Sequence, residues 1–196
     1  MEQKIILTDC DGVLLNWEYA FNEWMEFNGH KPVKDYKKFY KIFERYNLPS
    51  NNVGHRLVRE FNASAAIGFL PALRDAQYYV KMLAEKHQYK FAVLTSLSKN
   101  PYAQKLRKRN LTKVFGNIFE EVICLDTGAD KDVDLEKLYK KYGNVWWLED
   151  KPENVDAGID AGFKGILVEH THNMEYKGKA DVVKDWKQIY KLITGE

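Results

Sequence analysis

Residues 4–14 read KIILTDCDGVL, a short apolar run followed at once by two aspartates and a glycine. An apolar run of this length, bounded by a turn signal, is typical of a buried β-strand. Because alternate side chains of an extended chain lie on one face, Asp9 and Asp11 can point into one site while Cys10 points away. Two carboxylates held close together repel each other unless a cation or a proton lies between them. A polar turn after a strand has the same composition, so the remainder of the chain decides between a site and a turn.

The composition is that of an ordinary globular protein: 196 residues, 45% hydrophobic, 30% charged, with a net charge of +2. This length fits one domain, or a core domain with a modest insertion. The small net charge argues against a nucleic acid polymer as partner, and we expect the basic run 105–109 to end a helix, where positive charge offsets the helix dipole. Cys10 and Cys124 lack metal-type spacing, which suits a reducing compartment. Since neither a long apolar span nor a signal-like N-terminus is found, we expect a cytoplasmic protein with no membrane partner.

Strands and helices alternate along most of the chain. After the first strand, the predicted strands are Tyr89–Leu94, Glu121–Leu125, Asn144–Leu148 and Gly165–Val168. The predicted helices around them are Arg74–Lys86, one opened by Asn100 and Pro101, Val133–Tyr142, one opened by Pro152, and Asp185–Ile193. Such alternation predicts an α/β fold, a Rossmann-like three-layer sandwich with a parallel central sheet and right-handed crossovers.

One segment interrupts this alternation with a helical pattern. Aromatic side chains recur at helical spacing after Asn16, Pro32–Tyr46 predicts a second helix, and a third is expected after Pro49. We therefore expect a small helical cap inserted after the first strand. The cap comprises residues 16–67, and the α/β core domain comprises residues 1–15 and 68–196.

Reactive side chains recur where the predicted strands end. They are Asp9 and Asp11 after the first strand, Thr95 and Ser96 after the second, Lys131 after the third, and Glu149 and Asp150 after the fourth. Ligands of open parallel sheets bind outside the carboxyl ends of the strands, so we expect these groups to share one site.

These residue types suit phosphoryl transfer. A carboxylate can attack phosphorus to give an aspartyl-phosphate, and a second acid can protonate the leaving oxygen and later activate water. Mg2+ prefers carboxylate and carbonyl oxygens, while a hydroxyl and a lysine can hold the remaining phosphate oxygens. The strand ends therefore predict a Mg2+-dependent reaction of a phosphate ester.

Four stretches resemble the four motifs of the haloacid dehalogenase (HAD) superfamily of phosphatases, in the same order and along essentially the whole chain. Asp9-Cys10-Asp11-Gly12-Val13 is similar to motif I, Leu94-Thr95-Ser96 to motif II, Lys131 to motif III, and Leu148-Glu149-Asp150 to motif IV. The resemblance implies that Asp9 is the nucleophile and a Mg2+ ligand, and that Asp11 is the general acid/base with its backbone carbonyl on the metal. It further implies that Asp150 completes the metal site and that Thr95, Ser96 and Lys131 bind the phosphate, with the hydroxyl and the backbone amide of Ser96 both open as donors.

Within the superfamily, the small cap, Phe69-Leu70-Pro71 and the pair Asp130-Lys131 resemble the 5'(3')-deoxyribonucleotidase branch. That branch implies nucleoside monophosphates as substrates, whose bases can stack on aromatic side chains, although aromatics at helical spacing more often form a core. Two alternatives are a phosphatase or mutase for another small phosphometabolite, such as a phosphosugar, and a catalytically silent binding protein on the same fold. Asp11 argues against a dehalogenase, because those relatives lack the second aspartate of motif I.

Four further polar residues have two open roles each. Glu149 either tunes Asp150 or contacts solvent, and Asn154 either orients Asp150 or lies on the surface. His170 and His172, after the last predicted strand, either face solvent or line the rim of the site.

Overall fold

The structure is a computed structural model that describes residues 4–39 and 41–196. Its centre is a six-stranded sheet in which every pair of neighbours is parallel, in the order β3-β2-β1-β4-β5-β6. The strands are β1 (Lys4–Thr8), β2 (Tyr89–Ser96), β3 (Phe119–Leu125), β4 (Trp146–Glu149), β5 (Lys164–Val168) and β6 (Asp181–Val183). The chain builds outward from β1 to β3 and then in the opposite direction from β4 to β6. The strand order therefore reverses between β1 and β4, where open α/β sheets bind their ligands.

Eight α-helices accompany the sheet in the described residues: α1 (Trp17–Phe27), α2 (Ile42–Arg45), α3 (Asn51–Ala63), α4 (Ala76–His87), α5 (Pro101–Phe115), α6 (Asp132–Tyr142), α7 (Pro152–Ala161) and α8 (Trp186–Thr194). Several begin at polar caps, as the sequence indicates: Asn16, Ser50, Asn100 and Asp185 each accept a hydrogen bond from a backbone amide of the first turn. None of the described helices combines the length and the hydropathy needed to cross a membrane.

The core lies in two layers, one on each face of the sheet, because side chains alternate along each strand. Ile6 and Val93 pack with side chains of α4, α5 and α8 on one face. Leu7 and Leu94 pack with α6 and α7 on the other face. This confirms the predicted Rossmann-like three-layer sandwich. The short strand β6 was not predicted, since its three residues, two of them exposed, carry too little apolar pattern.

The segment between β1 and α4 is helical, and its aromatic rings belong to the same hydrophobic cluster as Ile6 and Val93 of the sheet. Phe21 and Phe61 are fully buried, and the Trp17 ring stacks on Phe21 with 4.6 Å between centroids. The segment leaves and rejoins the sheet domain at one place, where Asn16 N donates to Pro71 O at 2.9 Å. The division into a cap of residues 16–67 and a core stays a prediction.

Two expectations about helices are wrong. Pro32–Tyr46 does not form one helix: it contains a 3-10 turn at Tyr36–Lys38 and the short α2, because Asp35 before the turn is left-handed (φ 59°) and Phe39 and Lys41 after it are extended. Tyr40, which belongs to that prediction, lies outside the described residues. The basic run 105–109 does not end a helix either, since α5 continues to Phe115 and places the run in its middle.

Candidate active site

The site lies at the carboxyl end of the sheet, on the strands next to the reversal of strand order. Asp9 follows β1, Thr95 lies near the end of β2, and Glu149 ends β4. Because β1 pairs with both β2 and β4, these three ends are neighbours. Lys131, the residue that precedes α6, completes the group because its ammonium contacts the carboxylates of Asp9 and Glu149.

Lys131 is the central cation of the site. Its ammonium lies 2.8 Å from Asp9 Oδ1 and 2.6 Å from Glu149 Oε2, and its side chain is only 2% exposed. Burial acts to lower the pKa of Lys131, but the Asp9 and Glu149 carboxylates outweigh burial and raise it above its usual value. Lys131 is therefore positively charged and holds Asp9 in one orientation.

The carboxyl groups of Asp9 and Asp150 both have a raised pKa in this site. Burial raises the pKa of Asp9 to about 7, with Lys131 opposing the rise and Glu149 and Asp11 adding to it. Burial also raises the pKa of Asp150, and the carboxylates of Glu149 and Asp9 raise it further. Without a cation besides Lys131, protons bound to these two carboxyl groups therefore reduce the repulsion between neighbouring negative charges.

The oxygen donors of the site fit Mg2+. Carboxylate oxygens of Asp9, Glu149 and Asp150 lie within 4.8 Å of one another. A Cβ atom at Gly12, whose φ is 78°, would lie 2.4 Å from Asp150 Oδ2, so only glycine lets this loop sit against that carboxylate. Carboxylate oxygens are the ligands that Mg2+ takes in phosphate-handling sites.

Glu149 has its oxygens occupied and acts as a support. Its Oε1 accepts from the backbone amides of Asp150 and Lys151 at 3.0 and 3.1 Å. Its Oε2 accepts from Lys131 and, at 3.2 Å, from Asn154 Nδ2. The alternative that Glu149 contacts solvent is wrong, since the residue is buried, and Asn154 orients Glu149 rather than Asp150 directly. Asp9 and Asp150 are left as the carboxylates able to bind a metal.

The loop after β5 supports the same site from its other side. His170 Nε2 donates to Gly12 O at 2.7 Å, and His172 Nε2 donates to Asp150 O at 3.0 Å. Burial lowers the pKa of His170 to about 4, so its ring is neutral at pH 7. The sequence did not indicate Asn173, which is buried and donates to Asp150 O at 2.6 Å. Both histidines therefore contact backbone carbonyls of the site, which agrees with the expectation that they line its rim.

The two candidate phosphate-binding side chains after β2 differ in their surroundings. Thr95 Oγ1 is buried and has no hydrogen-bond partner among the residues that the structure describes. Buried polar groups are seldom left in that state, which makes this hydroxyl available to a ligand. Ser96 Oγ donates to Ala129 O at 2.9 Å, so its hydroxyl is occupied and its backbone amide is the remaining candidate donor.

Asp11 contacts a residue that the sequence analysis missed. Its Oδ1 lies 2.5 Å from Nη1 of Arg107, an arginine of α5 that is fully buried. The same Nη1 lies 2.9 Å from Cys10 Sγ. Cys10 is a packed thiol on the core side of the strand, as predicted from the alternation, and burial raises the pKa of this thiol.

Solved structures that superpose on this chain include haloacid dehalogenase-like hydrolases. A haloacid dehalogenase-like family hydrolase from Streptococcus pneumoniae superposes with a TM-score of 0.66 at 11% identity, over 98% of this chain and 99% of that one. D,D-heptose 1,7-bisphosphate phosphatase from B. bronchiseptica, complexed with magnesium and phosphate, gives 0.61 at 12% identity over 98% and 99%. L-2-haloacid dehalogenase from Xanthobacter autotrophicus gives 0.66 at 14% identity over 99% of each chain. The chain therefore has the haloacid dehalogenase fold, which confirms the resemblance of its motifs at the level of the fold.

A curated sequence is more similar to this chain than those structures are. It is an uncharacterized 32.4 kDa protein in the Gp30-rIII intergenic region of Enterobacteria phage T4, 28% identical over 157 residues. The match covers 77% of this chain and 55% of that protein, so this chain spans about half the length of the relative. No protein-family model matches the chain.

Proposed function

We propose that this chain is a Mg2+-dependent phosphomonoester hydrolase that works through an aspartyl-phosphate on Asp9. One observation carries the proposal: at the end of β1, Asp9 is held by the buried Lys131 ammonium at 2.8 Å, next to the strand of Thr95, whose hydroxyl has no hydrogen-bond partner in the part of the chain that the structure describes. A nucleophilic carboxylate, a fixed cation and a free donor are the parts that phosphoryl transfer requires.

In the first step, Asp9 attacks the phosphorus of the ester and the bond from phosphorus to the leaving oxygen breaks. Lys131 engages Asp9 Oδ1, which orients the carboxylate and leaves Oδ2 for attack. Lys131 and Thr95 Oγ1 then hold phosphoryl oxygens, while Asp11 gives a proton to the departing alkoxide. Mg2+ held by Asp9, Asp150 and the Asp11 carbonyl would supply positive charge for the phosphoryl oxygens.

In the second step, Asp11 takes a proton from water, the water oxygen bonds to phosphorus, and the bond to Asp9 breaks. The products are inorganic phosphate and the free carboxylate of Asp9. Asp11 thus works as acid and then as base, which a dehalogenase does not need. This residue favours a phosphatase over a dehalogenase, although both kinds of enzyme share the fold.

For the substrate we propose a nucleoside or deoxynucleoside monophosphate. The supporting features are the resemblance of residues 69–71 and of the Asp130-Lys131 pair, and an ion pair of the helical segment close to His172. Arg45 and Glu18 form this ion pair at 2.6 Å, and their charges act on the pKa of His172. Such groups can hydrogen-bond to a sugar or a base. The rings of Trp17 and Phe21 are used in packing, so base stacking on them is not part of the proposal.

The test is phosphate release by the wild-type chain, Asp9→Asn and Asp160→Asn, with Mg2+ and with a chelator. Asp160 is exposed on α7, so its variant is a matched control for the same chemical change. Substrates are 5'- and 3'-nucleotides, their deoxy forms, phosphosugars and an aryl phosphate. We expect release that needs Mg2+, is retained by Asp160→Asn and is lost in Asp9→Asn.

Intact mass after rapid acid quenching adds a direct readout, because the wild-type chain, but not Asp9→Asn, should gain one phosphoryl group. Release that persists in Asp9→Asn would contradict the assignment of the nucleophile. Faster release from phosphosugars than from nucleotides would replace the proposed substrate class, and no release from any substrate would favour a binding protein.

A further inference from the structure

Arg107 is a buried cation that none of the four motifs contains. It is 0% exposed, and α5 holds it in place, since Ala103 and Leu111 on the same face of this helix are also buried. Asn110 of the same helix clamps the chain at Leu70 with two hydrogen bonds, 2.9 Å to the backbone amide and 3.0 Å to the carbonyl. The guanidinium therefore sits on a rigid element directly behind the Asp11 loop.

The contacts of Arg107 are few for a buried guanidinium. Nη1 carries the bonds to Asp11 Oδ1 and Cys10 Sγ, whereas Nε and Nη2 have no hydrogen-bond partner among the described residues. Buried donors without partners destabilise a fold, and an apolar side chain would fill this space without that cost. Asp11, whose side chain is 19% exposed, could be solvated without an arginine. Stability alone therefore does not account for this residue.

We propose that Arg107 is the positioning residue of the general acid/base Asp11, an inference that rests on the proposed phosphatase function. The planar, rigid guanidinium fixes the direction of the bond that Oδ1 accepts, in a way that a flexible ammonium cannot. With Oδ1 engaged by Arg107, Oδ2 is the oxygen that exchanges protons with the leaving group and with water. Arg107 itself touches neither substrate nor metal and acts only through Asp11.

This role has a chemical signature, because the need for a general acid depends on the leaving group. An alkoxide such as a nucleoside oxygen is a poor leaving group and needs the proton, whereas p-nitrophenolate leaves without one. The ratio kcat/KM reports on steps up to departure of the leaving group, so it isolates the step in which Asp11 is the acid. Damage to the fold, to Lys131 or to the metal ligands would lower kcat/KM for both substrates alike.

The experiment compares Arg107→Gln and Arg107→Lys with Arg109→Gln, the same chemical change at an exposed position two residues along the helix. General acid catalysis contributes ~10²–10⁴-fold to the rate. Because Arg107→Gln should misplace Asp11, we expect its kcat/KM for a deoxynucleoside monophosphate to fall by about 30-fold. On p-nitrophenyl phosphate the same variant should lose less than about 3-fold. Arg107→Lys keeps the charge without the planar fork and should show a smaller loss with the same selectivity. Arg109→Gln should match the wild type on both substrates.

A double-mutant cycle with Asp11→Asn completes the test. In the Asp11→Asn background, Arg107→Gln should no longer change the ratio between the two substrates, because the residue through which it acts is gone. Equal losses on both substrates, or no loss on either, in Arg107→Gln would overturn the positioning role. If Arg107→Gln does not fold, the same selectivity is required of Arg107→Lys, and its absence there overturns the role. A wild-type chain that hydrolyses neither substrate would instead contradict the proposed phosphatase function.

Discussion

Replacing Lys131 with methionine removes the cation that the buried carboxylates share while keeping a side chain of similar length. The Lys131 ammonium is bonded to Asp9 at 2.8 Å and to Glu149 at 2.6 Å, with 2% of the side chain exposed. Removing one partner of such a buried pair costs about 3–5 kcal/mol, because the charge left behind has lost its counterion. For a chain of this size that loss corresponds to a fall in Tm of roughly 6–20 °C.

The measurement is urea unfolding followed by circular dichroism, at pH 8 with a chelator present. Lys137→Met is the matched control, since Lys137 lies on α6, is 68% exposed and pairs with Asp134 at 3.0 Å; its cost should stay within about 0.5 kcal/mol. Adding Glu149→Gln to Lys131→Met should restore about 1 kcal/mol or more, because one of the repelling carboxylates becomes neutral. Equal stability of Lys131→Met and Lys137→Met would refute the electrostatic reasoning.

Two further predictions concern Gly12, which lies against Asp150, and the carboxyl group of Asp9. Gly12→Ala places a Cβ 2.4 Å from Asp150 Oδ2, so calorimetric titration should show Mg2+ affinity reduced by an order of magnitude or more, whereas Gly29→Ala, with φ 84° and nothing within 4 Å, should keep wild-type affinity. Equal affinities would contradict the steric argument. Because the pKa of Asp9 rises from 3.8 to about 7 on folding, the folded chain keeps a proton that the unfolded chain loses, and the unfolding free energy without metal should fall between pH 4 and 7 by about 4 kcal/mol from this group and then level off. Denaturant unfolding should show a shallower fall for Asp9→Asn, and a slope identical to that of the wild type would contradict this assignment.

The parallel sheet could be predicted because each of its first five strands is a short apolar run bounded by polar or turn residues. The prediction of one helix over Pro32–Tyr46 failed because periodicity does not report backbone conformation: Asp35 is left-handed, and Phe39 and Lys41 are extended. The strand β6 could not be predicted, since its pairing with β5 rather than its own composition defines it.

The candidate site divides in the same way. Asp9, Lys131 and Asp150 could be predicted to meet, because parallel strands bring their carboxyl ends to one edge. Arg107 was not singled out, because the basic run 105–109 that contains it was expected to end a helix and to offset the helix dipole. A signal was nevertheless present, since Ala103, Asn110 and Leu111 lie four residues before, three after and four after it, on one face of the helix. Its bond with Asp11 joins residues 96 positions apart, which no local pattern can report.

The charges of the site support the proposal that it binds both a metal and a phosphate. Its carboxylates are Asp9, Asp11, Glu149 and Asp150, and its cations are Lys131 and Arg107. With every group ionised, four negative and two positive charges leave a net deficit of two positive charges, which one divalent cation would supply. Protons on Asp9 and Asp150 can meet that deficit, but a protonated Asp9 is a poor nucleophile. A divalent cation meets it while leaving Asp9 ionised, and it removes the repulsion that a phosphate dianion would otherwise encounter. Metal binding should therefore precede phosphate binding, and phosphate alone should bind weakly to the metal-free chain.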